Sequence, residues 1–211
     1  MDRRQFIARA AAGTAGALLP LPAPAQSGAI HELAGEVRIN GYRMAPNSAI
    51  FPGQTIETGA DGRIWFTLDG DAYFLRPGST LRLISNEARG TLVDVLRLVT
   101  GALGATFKRG RPRSVVSHTA TIGIRGTGVY VETSRDETYA CTCFGTTEKY
   151  SNATGAMMER LVVTTQNHLA RRIFADAHAG MRVIEAPFEH HTNEEMIRLE
   201  RLAGRPNPFS S

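Results

Sequence analysis

One stretch of the sequence, residues 120–132, restricts the fold more than any other. It reads Ala-Thr-Ile-Gly-Ile-Arg-Gly-Thr-Gly-Val-Tyr-Val-Glu and is rich in β-branched residues. Ile122 and Ile124 share one face of an extended strand, because side chains alternate with a period of two. After two further glycines the apolar positions move to Val129 and Val131. Such a change of phase needs an extra residue or a local turn, so the stretch predicts two buried strand segments joined by a bulge or tight corner.

The chain before this stretch alternates short β-prone runs with turn signals. The clearest signals are Asn40-Gly41, Asp69-Gly70 and Pro77-Gly78. Asn-Gly tolerates positive φ at both central positions of a two-residue hairpin, so it predicts a turn inside residues 36–44. Residues 92–99 could be helical by composition, but their β-branched content and the following Thr-Gly favour a strand. The pattern predicts an all-β domain, an antiparallel β-sandwich or β-roll of short strands.

The first 25 residues are typical of an export signal. Arg3 and Arg4 precede an apolar pair, residues 10–21 form a short run rich in Ala and Gly, and residues 23–25 form a small-x-small cleavage site. This arrangement predicts a cleaved twin-arginine signal and a periplasmic protein. The apolar run is shorter than the about 20 residues that a membrane span needs, so the mature chain is not expected to cross the membrane. The alternatives are an uncleaved N-terminal anchor and an ordinary secretory signal that holds two arginines.

The sequence around the glycines resembles a known family. Ile124-Arg125-Gly126-Thr127-Gly128 resembles the Ile-Arg-Gly-Thr-x-hydrophobic stretch of the FecR domain, which is found in the exported part of bacterial signalling and surface proteins. Residues 35–39, 51–63, 68–81 and 98–102 look like the successive segments of that domain, in its usual order. The resemblance covers residues 33–150 and implies an all-β domain without known enzymatic activity, used in sensing or display.

Residues 151–211 are expected to form a C-terminal extension. Residues 160–165 and 169–174 are strand candidates. The sequence Thr-Asn-Glu-Glu at residues 192–195 is a capping box, in which the Thr side chain caps the first helical turn and the side chain of the last Glu accepts the backbone N–H of the Thr. Apolar residues at helical spacing follow. We therefore expect one helix at about residues 193–203, docked on the β domain because so short a helix is marginal alone, and then a Pro-Phe tail.

The sequence carries none of the usual enzyme motifs. It has no Gly-x-Ser-x-Gly elbow, no Walker loop and no His-Glu-x-x-His, which favours a non-enzymatic protein. Arg125, set among apolar neighbours, is expected to hydrogen-bond carbonyl groups at the corner. A basic cluster consists of Arg97, Lys108, Arg109, Arg111 and Arg113. It predicts a solvated loop rather than a nucleic-acid or glycan surface, because no aromatic residues interleave with it.

Cys141 and Cys143 are the only cysteines in the chain. Exported proteins often join such a pair in a disulfide. In a strand, however, residues i and i+2 are separated by two rises of roughly 3.3 Å, whereas a disulfide needs Cβ atoms about 3.5–4.5 Å apart. A bulge near Gly145 could close that gap. Two thiolates on one metal ion need their sulfurs only near about 3.8 Å, so a shared metal is the other interpretation.

The end of the chain resembles the tail of a branch of standalone FecR-domain proteins. The shared pattern is Cys-x-Cys-Phe-Gly, a histidine before a strand, His-Thr-x-x-Glu, a Leu-Glu helix and Gly-Arg-x-x-Pro-Phe. The resemblance implies no established metal, but it carries over Cys141, Cys143, His168 and His191 as candidate ligands. Thiolate with imidazole suits zinc or copper, and iron less well. Reduced or disulfide-linked cysteines with surface histidines remain the alternative. His190 and His191 would point to opposite faces of a strand, so at most one of them is expected to join a site.

Two functions follow as expectations from the sequence. The first is a non-enzymatic periplasmic FecR-domain protein for sensing, ligand binding or scaffolding, whose partner is an envelope protein or a small ligand and not nucleic acid. The second is a metal-binding or redox protein centred on Cys141 and Cys143. A hydrolase assembled from scattered carboxylates ranks third.

Overall fold

The structure, a computed structural model, describes residues 27–85, 93–164, 167–178 and 181–210, with side chains at all of these positions except 177, 178 and 181. The predicted export signal, residues 1–25, lies outside the described residues. Within the described ranges, no helix has both the length and the apolar character that crossing a membrane requires.

Fourteen strands and one helix occupy the described residues. The strands are β1 (Ala29–Ala34), β2 (Val37–Ile39), β3 (Tyr42–Arg43), β4 (Thr55–Thr58), β5 (Arg63–Leu68), β6 (Asp71–Leu75), β7 (Thr80–Ser85), β8 (Val93–Thr106), β9 (Pro112–Val116), β10 (Ala120–Thr133), β11 (Glu137–Ser151), β12 (Met157–Val163), β13 (Leu169–His178) and β14 (Met181–Ala186). The helix is α1 (Asn193–Leu202). The all-β fold with one C-terminal helix is therefore confirmed.

The strands form one continuous hydrogen-bonded network. Its main path runs β14-β13-β11-β10-β9-β8-β7-β4-β2-β3. A branch leaves this path at β8, which also pairs with β6; β6 in turn pairs with β5, and β5 pairs with β1. Among the described residues the pairings between strands are antiparallel except for β8 with β9, which is parallel. Because β12 and β13 both pair with β11, the C-terminal extension belongs to the same sheet as the strands before it.

Two apolar clusters stabilise this sheet. The larger cluster gathers buried side chains from β2 to β13, among them Ile56, Phe66, Leu81, Leu96 and Ile122. The smaller cluster joins α1 to the sheet through Trp65, Phe74, Tyr130, Met196 and Leu199. Each fully buried side chain of this size contributes about 1.5–3 kcal/mol relative to exposure, so the helix is held mainly by apolar burial.

Helix α1 begins at the predicted capping box. The Thr192 hydroxyl accepts the Glu195 backbone N–H at 3.2 Å, and the Glu195 carboxylate accepts the Thr192 backbone N–H at 3.0 Å. Farther along, Arg198 donates to the Glu32 carboxylate of β1 at 2.7 Å, across a sequence separation of 166 residues. Helix α1 is thus bound to strand β1.

The predicted turns are present. Asn40 and Gly41 have φ of 49° and 82°, and they join β2 to β3 as a two-residue turn with positive φ at both positions. Asp69 and Gly70, with φ of 57° and 79°, join β5 to β6 in the same way. The twist of such turns matches that of the strands they connect, which is why this residue chemistry locates the hairpins.

Strand β10 changes register at the predicted corner. Its pairing with β11 slips between Arg125 and Gly128, and Gly126 has a left-handed φ of 63°. The predicted bulge is confirmed, but the expected role of Arg125 is wrong. Its side chain is 64% exposed and lies 3.7 Å from the Glu148 carboxylate, because it points to the face opposite the buried Ile124.

One member of the basic cluster is buried, contrary to the sequence expectation. Nε and Nη2 of Arg113 both lie 3.0 Å from Oδ2 of Asp71, and the two side chains are 2% and 1% exposed. The Lys108 backbone N–H donates to Oδ1 of Asp71 at 2.8 Å. Burial raises the pKa of Asp71, and the neighbouring guanidinium opposes that rise. Arg113 therefore anchors the connection between β8 and β9, while Lys108 remains at the surface.

Candidate metal centre

The two cysteines lie on β11, next to its second irregularity. Cys141 pairs with Tyr130 of β10, and the register then shifts so that Cys143 is the extra residue between Thr142 and Phe144. Both cysteines are free and buried, and both belong to the smaller apolar cluster under the helix. The bulge thus places two thiols, not a disulfide, on the side of the sheet that α1 covers.

Two histidines from the C-terminal extension meet these sulfurs. His168 directly precedes β13, whose Leu169 pairs with Thr142, so the histidine lies beside the cysteine pair. Its Nδ1 is 3.5 Å from Sγ of Cys141. His191 directly precedes the capping residue of α1, and its Nε2 is 3.3 Å from Sγ of Cys143. Each sulfur therefore has one imidazole nitrogen as its neighbour.

The four donor atoms form a compact group. The sulfurs of Cys141 and Cys143 and the ring nitrogens of His168 and His191 all lie within 4.8 Å of one another. In a tetrahedral zinc site, bonds of about 2.3 Å to sulfur and 2.0–2.1 Å to nitrogen place the donors about 3.3–3.8 Å apart. The two sulfur–nitrogen distances already lie in that range, and the other separations, at most 4.8 Å, need to shorten by no more than about 1.5 Å.

The nitrogen of each histidine that faces away from the sulfurs also has a partner. Nε2 of His168 donates to Oδ1 of Asn193 at 2.6 Å, and Nδ1 of His191 donates to the Glu189 carbonyl at 2.9 Å. With those protons placed, the nitrogens facing the cysteines carry lone pairs. Metal-binding histidines are oriented in this way by outer hydrogen bonds. Sequence reasoning missed Asn193, and its place directly after the capping Thr192 was the only signal for it.

Aromatic rings enclose the group. The His191 ring stacks on Tyr130 at a centroid distance of 4.5 Å, and the His168 ring stacks on Phe188 at 4.0 Å. Phe209 of the C-terminal tail lies 5.7 Å from the His168 ring. His191 is only 5% exposed, so it is not the surface histidine of the alternative interpretation. The two sulfurs are buried, so an uncompensated charge on them would be costly.

The two thiols titrate differently. A hydrogen bond from the Cys143 thiol lowers the pKa of Cys141 to about 4 against the opposing effect of burial. Burial raises the pKa of Cys143 well above its usual value. Near neutral pH the pair therefore holds one proton between two sulfurs, and one thiolate is already present as a ligand for a cation.

His190 does not join the group. Its Nδ1 lies 2.8 Å from the Glu132 carboxylate, and the side chain is 46% exposed. Of the two adjacent histidines only His191 lies in the group, but the strand geometry from which the sequence analysis argued is not the reason. The residues lie in the connection before α1 and not in a strand, and His190 has a φ of 68°. The glycine corner at residues 124–128 also contributes no residue to the group of four candidate ligands.

The comparisons with known proteins give little beyond this geometry. No family model matches the sequence, and no curated protein matches it. Two crystal structures of a "putative anti-sigma factor" from Parabacteroides distasonis are similar to it at 16% identity and a TM-score of 0.49. One match covers 71% of this chain and 74% of the other, and the second covers 70% and 73%. A likeness of this size assigns no function, so the FecR resemblance stays a prediction.

Proposed function

We propose that this protein is a metal-binding module of the cell envelope that holds one zinc ion between Cys141, Cys143, His168 and His191. One observation carries the proposal: four soft and borderline donor atoms from three separate segments converge within 4.8 Å in a buried place. A chance cluster of side chains would not need the outer hydrogen bonds that orient both imidazoles.

The donor set favours zinc. Two thiolates with two imidazoles in a compact arrangement suit tetrahedral zinc, whereas Cu(I) and iron are the poorer alternatives of the same class. Four protein ligands fill a tetrahedral zinc ion completely, as in structural sites, and leave no position for a reacting water. The proposed site is therefore structural or sensory and not catalytic.

A metal here would join distant parts of the chain. Cys141 and Cys143 belong to β11, His168 to the segment before β13, and His191 to the segment before α1. A single ion would cross-link all three segments across the smaller apolar cluster. Because binding to the native state alone adds stability, saturating zinc at about 1,000 times its dissociation constant would add about 4 kcal/mol.

Elemental analysis of the purified protein tests the proposal. We expect about one zinc ion per chain in the wild type and almost none in the Cys141→Ser, Cys143→Ser double variant. His190→Asn is the matched control, because that histidine lies beside His191 but outside the group, and it should retain the metal. Circular dichroism must show that the double variant is folded. Sub-stoichiometric metal that does not change between the wild type and the double variant would reject the site.

We further infer that the module works without catalysis, in sensing or scaffolding, together with an envelope protein or a small ligand. The absence of enzyme motifs, the FecR resemblance and the closed donor set support this role. Affinity capture from envelope extracts, with zinc-loaded protein as bait and the double cysteine variant as control, tests it. Failure to recover any specific partner or ligand under several growth conditions would argue against this role while leaving the metal site intact.

A further inference from the structure

A cleft whose chemistry differs from that of the candidate metal centre lies on the same domain. Its volume is about 1010 Å³. It is lined by the β8–β9 connection (residues 107–112), the β10 corner (125–126), β11 (144–146), the end of β12 (162–164), residue 200 of α1, and residues 205, 206 and 208 after α1. The four candidate metal ligands are not among its lining residues, so it is a separate feature.

Positive charge dominates this cleft. Five cationic side chains line it, and they are Lys108, Arg109, Arg111, Arg125 and Arg205. A single carboxylate, that of Glu200, is found among the lining residues. Like charges gathered around one concave surface repel one another, and low-dielectric walls concentrate the resulting field on an anion that enters.

The cations differ in how far they are already neutralised. Arg205 binds Glu200 through two nitrogens at 2.7 and 2.8 Å, so its charge is matched within the protein. Among the described residues, the ion pairs of Arg111 and Arg125 are single long contacts of 3.7 Å, to Asp94 and Glu148 respectively.

Lys108 and Arg109 have no ion pair with any carboxylate in the part of the chain that the structure describes. Both side chains are exposed. The stem of Arg109 nevertheless lies close to the β10 corner, because a Cβ atom added at Gly126 would lie 2.5 Å from Cγ of Arg109. The guanidinium stem thus packs directly on the β10 corner, beside Arg125, and this contact needs a glycine at position 126.

We propose that this cleft binds a small anion that carries at least two phosphate groups. Arginine predominates among the cations, and its planar fork donates two parallel hydrogen bonds to phosphate oxygens. Several forks around one opening match several phosphate groups better than they match one. Three members of the basic cluster that the sequence assigns to a solvated loop, Lys108, Arg109 and Arg111, instead share one concave surface with Arg125 and Arg205.

The apolar lining argues against single-stranded nucleic acid as the ligand. Phe107 is almost completely buried, and Phe144 packs edge-on against Phe209 at a centroid distance of 5.8 Å. Neither ring forms an exposed platform on which a base could stack, as such ligands require. A compact polyphosphorylated metabolite or polymer end fits the charges without needing a platform.

Isothermal titration calorimetry with fructose 1,6-bisphosphate as the probe tests the proposal. We expect the full-length protein to bind this probe at least about tenfold more tightly than fructose 6-phosphate, because the second phosphate adds charge-assisted hydrogen bonds. The Arg109→Gln, Arg125→Gln double variant should lose at least about tenfold in affinity. The matched control is Arg43→Gln, Arg82→Gln, which removes the same charge from exposed positions outside the cleft and should bind like the wild type.

Three results would overturn the proposal. One is an absence of binding by the wild type when circular dichroism shows that it is folded. Another is an equal loss in the two double variants, since that would mean attraction by net charge alone. The third is equal affinity for glucarate, a six-carbon diacid, which would exclude recognition of phosphate. None of these measurements involves the cysteines, so failure of the anion proposal can be distinguished from failure of the metal proposal.

Discussion

Replacing Arg113 with methionine would leave a buried carboxylate without its countercharge. Asp71, 1% exposed, would keep the Lys108 backbone N–H but lose both contacts from the guanidinium. Breaking a buried ion pair from one side typically costs about 3–5 kcal/mol, and methionine keeps the apolar stem without a charge. We therefore expect Arg113→Met to lower the free energy of unfolding by about that amount at pH 7.

The loss should depend on pH in a defined direction. Burial raises the pKa of Asp71 in the folded protein, and Arg113 opposes that rise. A carboxyl with a raised folded pKa contributes stability that is fully present below its unfolded pKa and is lost as pH rises through the folded pKa. Removing Arg113 raises the folded pKa further. The variant should therefore regain part of its stability when the pH falls from 7 to about 4.5, relative to the wild type.

Urea unfolding followed by the fluorescence of Trp65, the only tryptophan, measures both effects. Adding Asp71→Asn to Arg113→Met should recover most of the loss, because no charge then remains buried. Arg43→Met, at an exposed position, is the control and should change stability by less than about 0.5 kcal/mol. A loss below about 1 kcal/mol at pH 7, or a loss that neither acid nor Asp71→Asn reduces, would refute the reasoning.

Three further predictions concern other parts of the chain. Gly104→Ala should cost about 1–3 kcal/mol in urea unfolding, because its Cβ would overlap the Phe74 ring that lies on this glycine; Gly123→Ala, also inside a strand but with no atom closer than 3.5 Å to the added Cβ, should cost less, and an equal cost would contradict the packing argument. Burial lowers the pKa of Lys149 to about 8, so the folded state binds the proton more weakly than the unfolded state, and wild-type stability should rise by about 2–3 kcal/mol between pH 8 and 10.5 relative to Lys149→Met. Thr192→Ala should lower the thermal unfolding midpoint and cost about 1 kcal/mol, because the helix loses its cap, whereas Thr192→Ser should be nearly neutral.

Local chemistry explains which parts of the fold could be predicted from the sequence. Asn40-Gly41, the capping box and the glycine corner specify their own backbone geometry, and the structure has all three. Strand β14 was not predicted. Its six residues mix Arg182 and Glu185 with apolar residues, and the strand is ordered by pairing with β13, which no local pattern reveals. Arg125 was misassigned for a related reason, since the bulge decides which face it occupies.

The candidate site shows the same division between local and long-range information. The cysteine pair was visible from composition, but the bulge at Cys143 removes the regular strand spacing on which the argument against a disulfide rested. The meeting of His168 with Cys141 depends on the pairing of β13 with β11, and that of His191 with Cys143 depends on how α1 docks. The cleft was hidden in the same way, because its cations come from segments that only the tertiary structure brings together.

Helix α1 covers side chains that are synthesised much earlier than the helix itself. Arg198 binds Glu32 across 166 residues, and Glu195 binds Arg76 across 119. Contacts of such separation slow folding, because loop closure must precede them. Until the last residues emerge, Trp65 and Phe74 lack their cover, so a nascent or truncated chain presents an adhesive apolar surface. Folding of this β domain therefore waits for the synthesis of α1, and a chain that stops before α1 would be a substrate for chaperones and proteases.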